Sequence, residues 1–425
     1  MRPDTGWRFN RLFDAPHRLA FAAATWMLML ISLWWAMVNL AGGEGVAMHW
    51  AMAPATAHSL LMTFGFMPLY FIGFLFTAGP KWLGRPAAAA RDLLAPLAAQ
   101  VVGWMVFMLA IHGRDPVFGQ SVGAIGLGAV VFGWAGVIRR YLSMWAASRV
   151  ADRVHPTVVA VGCVFGLIAL AVAAAGVAMG DPPLVHGATH AALWGFVGLV
   201  FATVAHRMIP FFSAAAVPSL DAWRPLWLLW CFVAVFALEA AFAALDAVAT
   251  IAPHSLQIGR AAAEGLTGIG LLALAVRWGL VQSLRVRLLA MLHLGFTWLG
   301  IGLLLSGVSH AVAAAGGAPA LLGLAPLHAY TMGFLGSTMF AMVTRVSCGH
   351  GGRTLAADDF VWRLFWVLQL AIVARLVAAV LREASAAWSV ALIAAAAVGW
   401  AGVCLAWGAR YGHWYGTPRP DGRPG

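Results

Sequence analysis

Twelve long apolar runs, separated by short polar breaks, constrain this chain of 425 residues more than any other feature. Each run has roughly 20 residues or more, which is the length that a helix needs to cross a bilayer core of about 30 Å. Hydrophobic residues make up 62% of the chain and charged residues only 10%, so a water-soluble fold could not cover its apolar surface. The pattern predicts an all-α polytopic membrane protein and excludes an ordinary soluble enzyme.

The predicted spans leave only short loops, with no room for a soluble domain. We therefore expect a single transmembrane domain of twelve helices over residues 1–410, followed by a flexible cytoplasmic tail over residues 411–425. The spans cover residues 17–41, 55–79, 92–113, 116–141, 155–179, 184–208, 222–246, 254–281, 288–314, 321–346, 358–382 and 385–410.

The net charge of +11 raises the question of nucleic-acid binding. The basic residues form no patch, however, and lie singly or in pairs between the apolar runs. With the amino terminus in the cytoplasm, 22 of the 26 basic residues belong to inner segments and only Arg114 and Arg382 to outer ones. This bias follows the positive-inside rule, so it predicts cytoplasmic termini, a lipid bilayer as partner and no nucleic acid.

Two spans that run from the outer to the inner side share one motif. A similar start occurs in the second span at His58, with two extra residues before its Gly-Phe pair. The three outer histidines are 132 and 138 residues apart, and each separation covers four spans, which indicates three four-helix units. The alternative is convergent use of small residues where membrane helices pack closely. The matched residues are His190, Ala191, Gly195, Phe196, Gly198 and Arg207 in the sixth span and His328, Ala329, Gly333, Phe334, Gly336 and Arg345 in the tenth.

Ionisable groups are costly within hydrocarbon, so those inside the spans are candidates for function. Counted at 1.5 Å per residue, seven of them lie roughly 5–10 Å from the outer ends of their spans and Glu264 lies about 15 Å in. No acidic residue falls in the inner half of a predicted span. The outer layer contains His58, His190, His310, His328, Glu239, Arg260 and Arg375.

The histidines of this layer have the chemistry of a metal site. Neutral imidazole binds haem iron, copper and zinc, and helical bundles hold cofactors between histidines on facing helices. His186 lies one turn outside His190, so these two side chains share a helix face and can chelate one metal. The alternative for each histidine is a helix-end residue bonded to a neighbour or to interfacial water.

Arg260 and Glu264 are four residues apart on one predicted helix. One interpretation is a buried pair that neutralises itself. The other uses the remaining positive charge, because Arg260 or Arg375 suits the propionates of a haem in a cavity lined by histidines. Pairing of either arginine with Glu239 is a further alternative.

Three stretches resemble the NnrS family of bacterial membrane proteins. They are HSLLMTFGFMPLYFIGFLFTAGPKWLG at residues 58–84, HRMIPFFS at 206–213 and HAYTMGFLGSTMFAMVTRVSCGHGGR at 328–353. The resemblance extends over nearly the whole chain in span number and spacing. It implies a protein of the bacterial inner membrane that contains non-covalent haem b and copper and is linked to nitric oxide and defence against nitrosative stress.

A fainter resemblance is to the catalytic subunits of haem–copper oxidases and nitric oxide reductases. Their metal ligands come from the second, sixth, seventh and tenth helices, and His58, His190 and His328 occupy three of these. The seventh span has no histidine, and the tenth has His328 alone. The resemblances therefore suggest one haem held by His58 and His328 and a separate copper near His186, His190 and His310.

These observations lead to the hypothesis of a haem- and copper-binding protein that binds or transforms nitric oxide or a related small molecule at the outer side. Its electrons come from a donor that the sequence does not identify, and no catalytic residue is assigned. Two rivals stay open. Twelve spans with internal repeats are also typical of secondary transporters, and a quinol-linked or copper-delivery accessory protein would carry its metals as passengers.

Overall fold

The computed structural model describes residues 6–45, 48–248, 253–317 and 321–422. Within these ranges the chain is helical without strands, and eleven helices are long and apolar enough to cross a membrane. The tenth predicted span is also present, as one continuous helix over residues 325–350 that is not among those eleven. It carries more polar side chains than its neighbours, including Thr338, Thr344 and Arg345. The predicted all-α, multi-pass architecture is confirmed.

We number the long helices α1 to α12 in chain order. Short helices Phe9–Asp14, Ala78–Trp82 and Leu280–Ser283 lie outside them. The long helices are α1 (Pro16–Gly43), α2 (Pro54–Leu75), α3 (Ala90–Ala110), α4 (Pro116–Ala146), α5 (Val154–Met179), α6 (Pro182–Ala216), α7 (Leu226–Val248), α8 (His254–Arg277), α9 (Arg287–Ala314), α10 (residues 325–350), α11 (Asp359–Val380) and α12 (Ala386–Tyr415).

Two outer loops end in an Asp-Pro pair that starts the next helix. The carboxylate of Asp115 accepts a hydrogen bond of 2.9 Å from the N–H of Val117 at the start of α4. Asp181 accepts one of 3.0 Å from the N–H of Leu184 at the start of α6. Each proline takes the first helical position, where no N–H is needed. These two acidic residues therefore serve as helix caps and are not part of the charged interior.

The helices form a ring of three similar four-helix units. Each unit contributes one helix to the centre of the ring. Close packing recurs at intervals of four: α1 with α2, α5 with α6 and α9 with α10, and likewise α4 with α5 and α8 with α9. Packing of α12 against α1 closes the ring. The most deeply buried helices are α2, α6 and α10, which carry the three outer histidines of the sequence motif. The sequence repeat thus corresponds to the innermost layer of the fold.

The Gly-Phe pairs of the motif occupy equivalent places in the three units. Each glycine faces a large side chain of the preceding helix so closely that an added Cβ would lie 2.6 Å from it. Each phenylalanine is at most 1% exposed. These shared contacts agree with three four-helix units that include the second span. The pairs are Gly65 with Ile31, Gly195 with Phe165 and Gly333 with Trp298, and the phenylalanines are Phe66, Phe196 and Phe334.

Each central helix departs from α-helical geometry just inside its outer histidine. In α6 and α10 the departures are the π-helical segments Leu193–Gly198 and Ala329–Gly336, and α2 is interrupted at Gly65 and Phe66. The two π-helical segments contact each other, because the hydroxyl of Tyr330 donates a 2.6 Å hydrogen bond to the carbonyl of Leu193. The ring of Tyr330 also stacks on Trp194 at 3.9 Å. Such segments are frequent at functional sites.

The carboxyl-terminal boundary lies later than the sequence suggested. Helix α12 continues through Tyr415, so the chain does not become a loose tail at residue 411. The guanidinium of Arg18 donates to the carbonyls of Tyr415 and Thr417 at 3.2 and 2.9 Å. Arg419 donates to the carbonyl of His350 at 3.0 Å. These hydrogen bonds to α1 and α10 hold residues 415–419 against the inner face.

Candidate functional site

Three of the predicted site residues form a group across α2, α10 and α11. His58 is close enough to both His328 and Arg375 for their charges to interact, and His328 interacts with Arg375 in the same way. The three side chains come from separate helices at the same outer level. The structure therefore brings the two proposed haem-binding histidines together with one arginine.

The two histidines have different surroundings. The ring of His58 stacks on Trp35, with ring centroids 3.8 Å apart and planes 18° apart. Its Nδ1 is buried and has no hydrogen-bond partner among the residues described. His328 instead donates from Nδ1 to the carbonyl of Leu324 at 2.9 Å, which leaves the lone pair on Nε2. An imidazole fixed in this way is suited to bind a metal through Nε2.

The two arginines within the spans are not equivalent. Arg260 donates to both carboxylate oxygens of Asp246 at 2.9 and 3.0 Å, and its Nε lies 3.7 Å from Glu264. Its guanidinium also lies 4.4 Å from the ring of Phe242. Arg375 is half-buried and makes no hydrogen bond or ion pair with any described residue. Of the two, Arg375 is the one available to an added anion.

A second group surrounds Arg260 at the outer ends of α7, α8 and α9. Glu264, which is 1% exposed, accepts a 2.7 Å hydrogen bond from Nδ1 of His310. Glu239, which is 7% exposed, interacts electrostatically with Glu264, Arg260 and Asp246. Asp246 was not predicted as part of the site, although it lies seven residues after Glu239 and hence on the same face of α7. His310 thus belongs to a cluster of carboxylates.

The predicted chelating pair on α6 is present. The rings of His186 and His190 have centroids 3.8 Å apart and an interplanar angle of 38°. His186 is exposed and His190 is half-buried. His310 lies with Glu264, so it does not complete this pair. Nowhere in the described part of the chain do three or more histidine, cysteine, aspartate or glutamate side chains converge on one metal-sized point.

The inner histidines make hydrogen bonds of their own. His155 Nε2 and His206 Nδ1 are 3.0 Å apart, and His206 Nε2 lies 3.1 Å from the carbonyl of Pro225. His293 bonds to Ser213 at 2.8 Å. All three histidines are buried, so these hydrogen bonds are made within the bundle. They join α5, α6 and α9 at the inner side, away from the outer group of His58.

A cavity of about 350 Å³ lies between the inner halves of α2, α6 and α10. Its walls are almost entirely apolar, and they include Arg345 and His350 near the inner ends. None of the histidines or arginines predicted as site residues lines it. This cavity could not be predicted from the sequence, because it arises from the packing of helices that are far apart along the chain.

These features define a polytopic all-α membrane protein with two groups of ionisable side chains near the outer ends of its helices, one around His58 and one around Arg260. The chain belongs to the NnrS family, since the family model described as NnrS protein matches residues 11–419, nearly its whole length. Membership of this family indicates a nitric-oxide-related membrane protein. No curated protein matches the chain.

Proposed function

We propose that this chain is a haem- and copper-binding protein of the bacterial inner membrane that binds or transforms nitric oxide near the periplasmic face. The observation that carries the proposal is the grouping of His58, His328 and Arg375. Family membership supports the link to nitric oxide. The outer side is taken as periplasmic from the charge bias of the loops.

The residues present fit a haem b group. His58 and His328 would hold the iron, because each offers an imidazole nitrogen without a hydrogen-bond partner. Arg375 would bind a propionate, since a planar guanidinium pairs well with a carboxylate. Haem, when bound, supplies a redox-active iron that can bind nitric oxide. The stacked ring of Trp35 restricts the orientation of His58, and the carbonyl of Leu324 restricts that of His328.

The place of the site within the bilayer suits nitric oxide as a partner. Nitric oxide is a small apolar molecule, so it can reach a site between helices from the lipid without an aqueous channel. The electrons for any conversion come from an external donor. His186 and His190 are the pair that would bind copper, because their rings share one face of α6.

Optical spectroscopy of the purified full-length protein tests the haem assignment. We expect a difference spectrum, reduced with dithionite minus oxidised, to show a b-type haem band that nitric oxide shifts. His58→Ala and His328→Ala should each lose most of the haem, and Arg375→Gln should lower the midpoint potential, because it removes a positive charge near the iron. His49→Ala is the matched control, since His49 is an exposed outer histidine.

Full haem retention in both the His58→Ala and His328→Ala variants would overturn this pairing. A protein with no haem band would instead favour the transporter alternative. Copper is measured separately by metal analysis. We expect His190→Ala to lose copper and keep haem, whereas copper that remains bound in this variant would place its ligands elsewhere. Copper that exchanges readily, together with a haem spectrum that nitric oxide does not alter, would favour an accessory protein.

A further inference from the structure

The apolar cavity at the inner half of the bundle is separate from the site proposed for haem and copper. It lies on the axis of the ring, between α2, α6 and α10, and has a volume of about 350 Å³. We propose that it binds one acyl chain with an anionic head group, and that Arg345 holds the head group at the inner end. None of the residues proposed to hold haem or copper lines this cavity.

Arg345 has no anionic partner in the structure. Its guanidinium lies 3.7 Å from the ring of Phe212 and makes no hydrogen bond or ion pair with any described residue. None of the described residues that line the cavity is an aspartate or glutamate. A half-buried cation without a counter-charge is costly in a low-dielectric environment, so a bound anion would stabilise it.

Other positive groups lie near the same end of the cavity. Arg207 packs over the ring of Trp82 at 5.0 Å, and Trp82 lines the cavity. Lys81 interacts electrostatically with His350, which also lines it. Asp152 also interacts with Arg207, but the charged side chains at this end are mostly positive, and they complement an anionic head group at the cytoplasmic membrane surface.

The rest of the cavity suits a hydrocarbon chain. The hydroxyls of two tyrosines that line it are bonded elsewhere: Tyr70 pairs with Thr25 at 2.9 Å, and Tyr141 donates to the carbonyl of Pro156 at 3.3 Å. The remaining walls are mainly aliphatic and aromatic side chains. The volume is near the lower end of the range for small-molecule sites, about 300–1,000 Å³, so it admits one chain.

Two kinds of molecule have an acyl chain with an anionic head group: a free fatty acid and an anionic phospholipid, which would place one of its chains in the cavity. A quinone is a different class of ligand, with neutral carbonyl groups in place of a charge. The uncompensated guanidinium of Arg345 favours the anion. A short-chain quinone is therefore included among the ligands to be tested.

Native mass spectrometry of the purified full-length protein tests the proposal. The probes are oleate, methyl oleate, a phosphatidylglycerol and a short-chain ubiquinone analogue, each added to delipidated protein in neutral detergent. We expect one bound oleate per protein and at least tenfold weaker binding of methyl oleate, which has no charge. Tight binding of phosphatidylglycerol with weak binding of oleate would identify the phospholipid as the source.

Two variants and one control separate the head-group contact from the cavity. Arg345→Gln should weaken oleate binding at least tenfold and leave methyl oleate unchanged. Ala205→Leu, which adds volume inside the cavity, should weaken both probes. Arg277→Gln is the control, because Arg277 also packs over an aromatic ring, that of Trp223 at 5.1 Å, but does not line the cavity.

Equal binding of oleate and methyl oleate by the unaltered protein would overturn the anionic assignment, whether or not a variant folds. Arg345→Lys, which keeps the charge, should retain oleate binding if Arg345→Gln does not fold. Binding of oleate that Ala205→Leu leaves unchanged would show that the acyl chain lies outside the cavity. Preferential binding of the quinone analogue would also overturn the proposal.

Discussion

Arg260 and Arg375 show how the surroundings of one residue decide its role within a bilayer. Both lie inside membrane spans at a similar predicted depth. From the sequence, either one could bind a haem propionate or pair with Glu239. In the structure, Asp246 and Glu264 surround Arg260, whereas Arg375 lies beside two histidines without a carboxylate. Arg260 therefore stabilises the bundle, and Arg375 remains the candidate partner of an anionic cofactor group.

Removal of the Arg260 charge should destabilise the protein strongly. Arg260→Gln leaves Glu264 and Glu239 buried without their cation, and breaking a buried pair in this way costs about 3–5 kcal/mol. We expect a clear fall in the unfolding temperature of the detergent-purified protein, and only a partial fall for Arg260→Lys. The measurement is thermal unfolding followed by intrinsic fluorescence or calorimetry.

The matched control is an exposed ion pair at an inner loop. Arg277 donates to the carboxylate of Asp221 at 3.1 and 3.0 Å, and these hydrogen bonds hold the pKa of Asp221 below its usual value. Water and salt screen this pair, so Arg277→Gln should change the unfolding temperature little. Equal effects of the Arg277 and Arg260 substitutions would show that the cluster around Arg260 is not a stabilising pair.

The two π-helical segments belong to the repeated motif, lie in the central helices and adjoin the outer histidines. Each follows the outer histidine of its helix, so it sets the direction in which that histidine points relative to the inner half of the helix. The carbonyl of Leu193, at the start of the first π-helical segment, accepts a hydrogen bond from the hydroxyl of Tyr330. The contact joins α6 to α10 at the centre of the bundle.

Loss of the Tyr330 hydroxyl should loosen both π-helical segments. Tyr330→Phe removes the 2.6 Å hydrogen bond to the carbonyl of Leu193, and a hydrogen bond of this kind contributes about 0.5–1.5 kcal/mol. We expect faster amide hydrogen exchange in Leu193–Gly198 and Ala329–Gly336, measured by mass spectrometry. In Tyr141→Phe, which loses a longer bond of 3.3 Å to Pro156, exchange in these segments should not change. Unchanged exchange in the Tyr330 variant would contradict a structural role for this hydrogen bond.

The sequence predicts helices better than it predicts contacts between them. The length of the apolar runs and the positions of the charged residues are enough to predict the spans, because a helix needs a fixed apolar length to cross a bilayer. The partner of His310 could not be predicted, because it depends on how α8 and α9 rotate against each other. Asp246 was overlooked for a related reason: it lies at a helix end, where an acidic residue usually faces water, and only the approach of α8 brings it to Arg260.

A layer of aromatic side chains across the bundle separates the two candidate sites. Phe196 packs against Phe71 at 5.5 Å and Trp134 at 5.4 Å, and Phe334 lies 6.3 Å from Phe201. The group of His58 lies on the outer side of this layer, and Phe71 and Phe201 also form walls of the inner cavity. The ring of three units thus holds two candidate sites, one towards each end of its central helices.

The assignment of outer and inner sides depends on the orientation of the ring in the bilayer. The charge bias places the α3–α4 loop outside and the α4–α5 loop inside, with 22 of the 26 basic residues in inner segments. Both loops contain an exposed charged residue, Arg114 in the first and Asp152 in the second. Single cysteines at these positions therefore report on the two sides.

In a chain whose four native cysteines are replaced by alanine or serine, we expect Arg114→Cys to react with a membrane-impermeant maleimide on intact cells. Asp152→Cys should react only after the cells are permeabilised, because positive loops stay on the cytoplasmic side. The inverse pattern would place the His58 group on the cytoplasmic side and the cavity at Arg345 on the periplasmic side. It would leave the contacts within each site unchanged, but it would reverse the side from which an electron donor reaches the first and a lipid head group reaches the second.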